Sequence, residues 1–332
     1  MKIAIVGAGL TGSLLAHQLF EAGHQVTVFE KSRGRGGRST QKRLSWGNFD
    51  IGASVIVASD PDFIGFMHAQ VKAGTASRWP ATVHEYDADL SVAQGMSQQH
   101  FVFNPGMNGA CRQWLAGCTL HTECKIENVS HTKGSWHLFT EHEALSGSYD
   151  WLIVTAPWPQ TQQLLQAYLP EAPLKNQDWR SCWSLAMQLV SPIDTGVELL
   201  YLKNSPVQCL IKDSAKPLRA VSGTPIKQLW VAQLNNEVSE KLTKDGAKLA
   251  LEMAKSSLSE VFKIPHPELT EYYQHYWRFA RTARGVAPMG LVSNADMGLA
   301  AGGDWSFGAS IQASFQAACA LSALIADKAY SC

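Results

Sequence analysis

The sequence predicts an α/β fold in which a Rossmann-type unit is interleaved with a smaller α+β domain of mostly antiparallel sheet and helices. Three observations predict it. A strand, a Gly-x-Gly-x-x-Gly turn, a helix, a second strand and an acid follow one another within the first thirty residues. Apolar strand segments suited to the same sheet return far along the chain, at 149–157 and 298–303. The 332 residues suffice for about two domains at roughly 150 residues each.

The elements justify this in order. Lys2 to Val6 is a short apolar run ending at Gly7, as buried parallel strands read. Gly7 permits a tight turn, Gly9 lets backbone approach a diphosphate, and Gly12 lets the helix pack on the strand. Leu14, Leu15 and Leu19 form a helical stripe and Gly23 stops it. Leu10 and Thr11 open that helix, whose N-terminus offers N–H groups and partial positive charge to an anion. Gln25 to Phe29 is the second strand, and Glu30 after it is placed to accept hydrogen bonds from ribose hydroxyls.

Composition excludes several function classes. Apolar residues make up 45%, and 28 basic residues balance 28 acidic ones. A neutral chain of ordinary hydrophobicity is neither disordered nor globally suited to nucleic acid or an anionic membrane. A pocket for a small-molecule substrate is expected to carry the specificity. Seven cysteines, at 111, 118, 124, 182, 209, 319 and 332, form no CxxC or zinc spacing, so no metal site is expected and the thiols read as reduced. No signal peptide is apparent, and the apolar run near 317–326 is shorter than the ~20 residues of a membrane span. The expectation is a cytoplasmic protein.

Six cations fall between 31 and 43: Lys31, Arg33, Arg35, Arg38, Lys42 and Arg43. Such a run is ordinarily a solvated face. Here Gly34, Gly36 and Gly37 lie among the cations, directly after the ribose acid. Backbone amides can then close over the same diphosphate, and Arg35 or Arg38 can reach a phosphate oxygen or a neighbouring carboxylate.

Gly-x-Gly-x-x-Gly, a terminal acid and then Arg35-Gly36-Gly37-Arg38-Ser39 resemble the amine-oxidase and phytoene-desaturase group of FAD flavoproteins. The resemblance implies that the Rossmann-type unit is an FAD-binding domain holding FAD non-covalently, with Lys31, Gly37 and Ser39 in the segment against it. Phe49-Asp50-Ile51-Gly52-Ala53 resembles the group's Asp-x-Gly turn, implying Gly52 and Ala53 as cofactor contacts. Lys125 to Val129 resembles the strand whose backbone meets adenine at Ile126, and Tyr149 to Pro157 the strand that ends at Ala156. Gly303-Asp304 resembles the Gly-Asp element whose acid binds the ribityl chain. A loop is expected at 305–308, then a helix over 310–329 whose start, at Ile311, faces the flavin.

Several segments further resemble the renalase-like branch: 57–63, the 104–109 stretch containing Met107 and Asn108, Trp179 to Trp183, and His275 to Ala280. That likeness implies oxidation of 2- or 6-dihydro-NAD(P), a misreduced dihydronicotinamide, with hydride passing to flavin N5 and dioxygen as acceptor. His275, Trp277 and Arg278 are the pocket candidates; strand alternation puts His275, Trp277 and Phe279 on one face and Tyr276 and Arg278 on the other. Trp277 and Trp305 are flat rings in segments expected to approach the flavin. Ser54, Val55, Ser59, Gln312 and Ala313 depart from the branch's usual residues and leave the substrate open. The alternatives are an oxidoreductase of the same fold acting on an amine or a carbon–carbon bond, and a non-catalytic flavin or nucleotide binder.

The expected FAD-binding domain collects 1–56, 105–160 and 282–332. The expected substrate domain collects 57–104 and 161–281, with one helix over Lys241 to Phe262.

Overall fold

A computed structural model describes residues 1–81, 83–87, 90–94, 99–169, 179–219 and 228–329. The chain forms two compact units, each assembled from separated segments. One comprises Met1–Arg38, Asn108–Asp178 and Thr282–Cys332, the other Ser39–Met107 and Trp179–Arg281.

The first unit is built on a six-stranded sheet. β1 (Lys2–Val6) is flanked by β2 (Gln25–Phe29) on one side and by strand Trp151–Val154 on the other, both parallel to it. Strand Thr119–His121 extends the sheet beyond β2, again parallel. Strand Leu299–Ala301 follows Trp151–Val154 in parallel, and Val292–Asn294 closes that edge antiparallel. Trp151 to Val154 is buried throughout, as expected of a parallel strand covered on both faces. Helix α1 (Leu10–Glu21) crosses from β1 to β2 and packs beside the last helix, Ile311–Ala329. The Thr11 hydroxyl donates to the Ser314 carbonyl at 3.3 Å, joining these helices near their starts.

The second unit holds a seven-stranded sheet in the order Leu269–Thr282, Trp179–Leu189, Leu229–Leu234, Val207–Lys212, Leu199–Lys203, Val83–Asp87, Leu90–Gln94. Its pairing is antiparallel from Trp179–Leu189 to Leu199–Lys203, parallel to Val83–Asp87, then antiparallel again. Trp183, Leu185, Met187 and Leu189 alternate onto one face and join Ala250, Leu251, Ala254 and Leu258 of helix Ala247–Phe262 in the core. Periods of two and of about four residues thus meet along one seam. Trp230 is fully buried there against Phe262, at 5.2 Å between ring centroids.

Several expectations change at element ends. The helix read over Lys241 to Phe262 is two helices, Asn236–Leu242 and Ala247–Phe262. Thr243 sits at φ +53°, and its carbonyl accepts from the Trp183 indole at 2.8 Å, which draws the chain out of helical geometry. The first of the two helices is capped by Asn235, which accepts from the Val238 amide at 2.8 Å. The strand read at 125–129 begins only at Asn128 and forms a hairpin with Ser135–Phe139. The loop read at 305–308 is a helical turn, Asp304–Phe307, closed by the Ser306 amide on the Gly303 carbonyl at 2.9 Å. Residues 39–56, expected with the Rossmann segments, fall in the second unit, where strand Gln41–Leu44 pairs with Gly47–Asp50 and Asp50 bonds to residues 213–219. Residues 161–169 fall in the first unit, where the Tyr168 hydroxyl donates to the Val129 carbonyl.

The core seam sets a stability expectation. Trp230→Ala removes a fully buried indole and should cost about 3–5 kcal/mol. Urea unfolding should show a lower midpoint; a loss under about 1 kcal/mol would mean that the seam collapses around the gap.

Candidate functional site

In the first unit the site is shaped by what glycine permits. Gly7 takes φ +112°, a conformation that L side chains rarely adopt. A Cβ on Gly12 would lie 2.0 Å from the Gly7 carbonyl oxygen and 2.6 Å from the Thr155 hydroxyl. Thr155 stands just beyond strand Trp151–Val154, and its hydroxyl lies 3.1 Å from the Gly7 carbonyl oxygen. Gly9 precedes α1 with no side-chain cap, so the amides of that helix start face outward for an anion.

The second glycine segment lies against the first. Gly36 pairs with Gly9 in a parallel bridge, and its amide donates to the Ala8 carbonyl at 2.8 Å. Gly37 stands so close to Gly9 that a Cβ there would touch the Gly9 Cα at 3.5 Å. A Cβ on Gly36 would come within 2.5 Å of the Asn108 Cβ. The Asn108 amide donates to the Arg35 carbonyl at 3.4 Å. Residues 9, 36, 37 and 108 therefore converge.

Glu30 is buried, and its carboxylate accepts from the Ala8 amide at 2.9 Å and the Ser32 amide at 2.8 Å. These bonds hold it between the glycine turn and the following loop, with lone pairs left for a ribose. Ile126 is also buried and follows a stretch whose Glu123 and Cys124 amides bond to Ser32 and Glu30. Arg38 makes a bidentate pair with Asp304, at 2.8 and 2.6 Å. Of its two expected partners, the Arg38 side chain thus meets the carboxylate. Lys31 is exposed and donates to Gln160. Ala156 offers its carbonyl to the Thr161 hydroxyl and the Trp305 indole. Ile311 opens the last helix behind Ser310, whose hydroxyl accepts from the Ala313 amide. Trp305 does not present a flat ring to a ligand: it is 1% exposed and packs against Trp158 at 5.1 Å.

The remaining candidates lie in the second unit: Ser39, Gly52, Ala53, Met107, His275, Trp277 and Arg278. Met107 is buried, and its amide donates to Asp50 at 2.9 Å. His275 and Trp277 share a strand face with ring centroids 4.2 Å apart, and the Trp277 indole donates to the Ile51 carbonyl at 3.0 Å. Tyr276 points to the opposite face, against Trp183 of the core. Arg278 is exposed and lies over the Phe279 ring, so it does not join His275 and Trp277. Burial, and then the Lys42 charge, hold His275 below its ordinary pKa.

Sequence reasoning missed Asp213, Lys216 and Arg219, which are buried around Asp50. No motif surrounds them. The one available signal is a Lys and an Arg close together, three residues past an Asp and followed by Ala220.

Comparison with known proteins agrees with this geometry. A family model described as an NAD(P)-binding Rossmann-like domain matches residues 5–69. A 4,4'-diapophytoene desaturase of Staphylococcus aureus is 42% identical over 60 residues, which span 18% of this chain and 12% of that protein. A candidate protoporphyrinogen oxidase of Exiguobacterium sp. 255-15 superposes with a TM-score of 0.74 at 12% identity, covering 98% of both chains. Putrescine oxidase with bound putrescine superposes with a TM-score of 0.71 at 10% identity, covering 98% of this chain and 99% of that one. The overall fold is therefore that of these oxidases. Among the described residues, no helix is long and apolar enough to cross a membrane.

Two outcomes follow. Gly12→Ala drives a methyl into backbone that cannot yield, so the variant should lose dinucleotide binding, read by equilibrium dialysis, and melt lower than the parent. Because folding holds His275 neutral, its contribution is present in full above a pH of about 6.5 and is lost as pH falls through the lower folded value. Between about pH 7.5 and 5.5 the parent should lose more melting temperature than His275→Gln; equal losses would show that His275 is not shifted.

Proposed function

We propose that the chain is an FAD-dependent oxidoreductase that oxidises a small molecule, with a dihydronicotinamide nucleotide as substrate. One observation carries the cofactor: the second glycine segment, bonded at Gly36 to Ala8 and braced by the Arg38–Asp304 pair, adds a second set of backbone groups beside the first turn. A simple nicotinamide dehydrogenase has no need of it. FAD fits the residues present, since a Cβ on Gly9 would stand in open space with nothing within 4 Å and Glu30 is set for the ribose. The fold shared with the oxidases, and the segment shared with the desaturase, support the same reading.

FAD, when bound, supplies hydride acceptance at N5 and reoxidation by dioxygen to hydrogen peroxide. The chain's own part is to orient. Hydride transfer from a dihydropyridine ring needs alignment and stacking rather than a strong base. His275 and Trp277 offer an edge-to-face aromatic pair on one strand face, with burial holding the imidazole below its ordinary pKa. A neutral net charge favours neither nucleic acid nor membrane as partner, and we place the protein in the cytoplasm. A second reading, oxidation of an amine, is favoured by the superposition with putrescine oxidase along nearly the whole chain.

Anaerobic mixing of the FAD-loaded protein with 2- and 6-dihydro-NAD(P), and separately with putrescine, decides between them. The dihydronicotinamides should bleach the flavin, and admitted air should restore the colour with formation of peroxide. Bleaching by putrescine alone would establish the amine reading. Bleaching by no reductant would make the chain a binder only, and a protein that takes NAD but no FAD would overturn the proposal.

A further inference from the structure

The seven-stranded sheet of the second unit has two unlike faces. Gln233 lies between Ala232 and Leu234, and Tyr201 between Leu200 and Leu202; those flanking residues belong to the apolar core. Alternation turns Gln233 and Tyr201 to the opposite face. Ser184, Cys209 and Glu85 join them there, since Leu185, Leu210 and Tyr86 beside them pack on the core side. Strand register then aligns all five. Ser184 stands opposite Gln233, Gln233 opposite Cys209, Cys209 opposite Tyr201, and Tyr201 opposite Glu85. The result is a polar row across five strands of one unit. Two residues along, the same strands place Ala186, Val231, Ile211 and Leu199 in a matching apolar row, none more than 1% exposed.

The polar row is shaped as a notch. Cys209 is short and buried, whereas Gln233 and Tyr201 on either side are long and half-buried. Two strand spacings, about 9.6 Å, separate the backbones that carry those two side chains. Gln233 is fixed by its Nε2, which donates to the Gly52 carbonyl at 2.7 Å, and this leaves its Oε1 as an acceptor. At the inner end Ser184 is fully buried, and its hydroxyl has no partner among the described residues. The row's hydrogen-bonding capacity is thus not met from within the chain. Its centre is also uncharged. Burial pushes the Cys209 thiol up to about 12 and raises the Tyr201 phenol, so both keep their protons at neutral pH. Glu85 at the outer end is paired with Lys203 at 2.9 Å.

We propose that the notch over Cys209 is a subsite for an uncharged carboxamide, with Gln233 and Tyr201 as the residues that select it. The Tyr201 hydroxyl donates to the carboxamide oxygen, and the carboxamide NH2 donates to Gln233 Oε1. The group carries one acceptor and two donors in a plane, which is the complement of what the two side chains offer. An alkylammonium would meet no carboxylate in the row except Glu85, which Lys203 already engages. The assignment rests on the dihydronicotinamide reading above, because that substrate carries a carboxamide on its ring and an alkylamine does not.

The test uses the full FAD-loaded chain, with 2- and 6-dihydro-NAD and their analogues in which a 3-acetyl group replaces the carboxamide. The acetyl group keeps the acceptor and loses the donors. Anaerobic flavin bleaching gives kcat/KM for each, and far-UV circular dichroism and melting report folding. The parent should favour the carboxamide by about tenfold. Gln233→Met should bring that ratio close to one, whereas a merely structural loss would slow both substrates and leave the ratio intact. Tyr201→Phe should raise KM about tenfold for both substrates with an unchanged melting temperature, and it carries the test if Gln233→Met does not fold. A parent without the preference, a folded Gln233→Met with the parent's ratio, or a folded Tyr201→Phe with the parent's KM overturns the assignment alone. A parent whose flavin neither dihydronicotinamide bleaches overturns the substrate reading and the assignment with it.

Discussion

The approach of Gly12 to Gly7 is the constraint on which the Rossmann half depends. The peptide oxygen at 7 and the α-carbon at 12 are so close that a single methyl would overlap backbone. Thr155 locks the arrangement from a strand about 150 positions away, placing its hydroxyl 3.3 Å from the Val6 carbonyl and 3.1 Å from that of Gly7. This contact sets where α1 begins and which way its free amides face. The Glu30 carboxylate then takes the Ala8 amide, and the Gly36 amide takes the Ala8 carbonyl. Both polar groups of one residue between the two glycines are satisfied by the two neighbouring motifs. The sheet order, the glycine cradle and the acid after β2 are one geometric solution, not three separate features.

The second unit is organised by charge. Burial alone would raise the Asp50 pKa, but Lys216, Arg219 and the Met107 amide outweigh it and hold Asp50 below the ordinary carboxylate range. Asp213 goes the other way: burial and the nearby Asp50 raise it, and Lys216 offsets this only in part. Removing one member of such a buried pair typically costs about 3–5 kcal/mol, because it leaves a charge uncompensated. Replacing the whole set with apolar side chains is often neutral or stabilising. Stability alone therefore does not account for a four-charge cluster in the interior. What an apolar set could not reproduce is the directional grip on the Pro105 and Phe103 carbonyls and the Met107 amide.

The Rossmann half was legible in the sequence because backbone geometry dictates residue type there. A turn that excludes Cβ demands glycine, and the order of strand, turn, helix and acid is local. Arg35 or Arg38 was expected to reach a phosphate oxygen or a neighbouring carboxylate, and Asp304 supplies the carboxylate to Arg38. Trp305 was misread because its composition suits either a ligand face or a core. The burial of Trp158 beside it, visible only in three dimensions, decides for the core. The helix break at Thr243 was invisible for a similar reason, since the Trp183 indole that bonds there comes from a strand sixty residues earlier. The buried cluster was hidden most completely. Asp50 lies in a recognisable turn, but Lys216 and Arg219 are about 165 residues further on in a stretch with no pattern.

The same contrast separates the glycine turns from the strand face that carries His275 and Trp277. A glycine cradle tolerates little change, so it stays recognisable at low identity. The sheet face with His275 and Trp277 tolerates many side chains, since strand pairing runs through the backbone and leaves each face free to vary. Alternation predicted correctly that His275 and Trp277 share a face, and the structure assigns that face to the Ile51 side. Arg278, joined to them only by sequence adjacency, lies exposed beyond the strand's other face. Adjacency along a strand separates side chains as surely as it joins their backbones. Side chains that gather on one face of this strand are therefore set by every second residue, as His275 and Trp277 are.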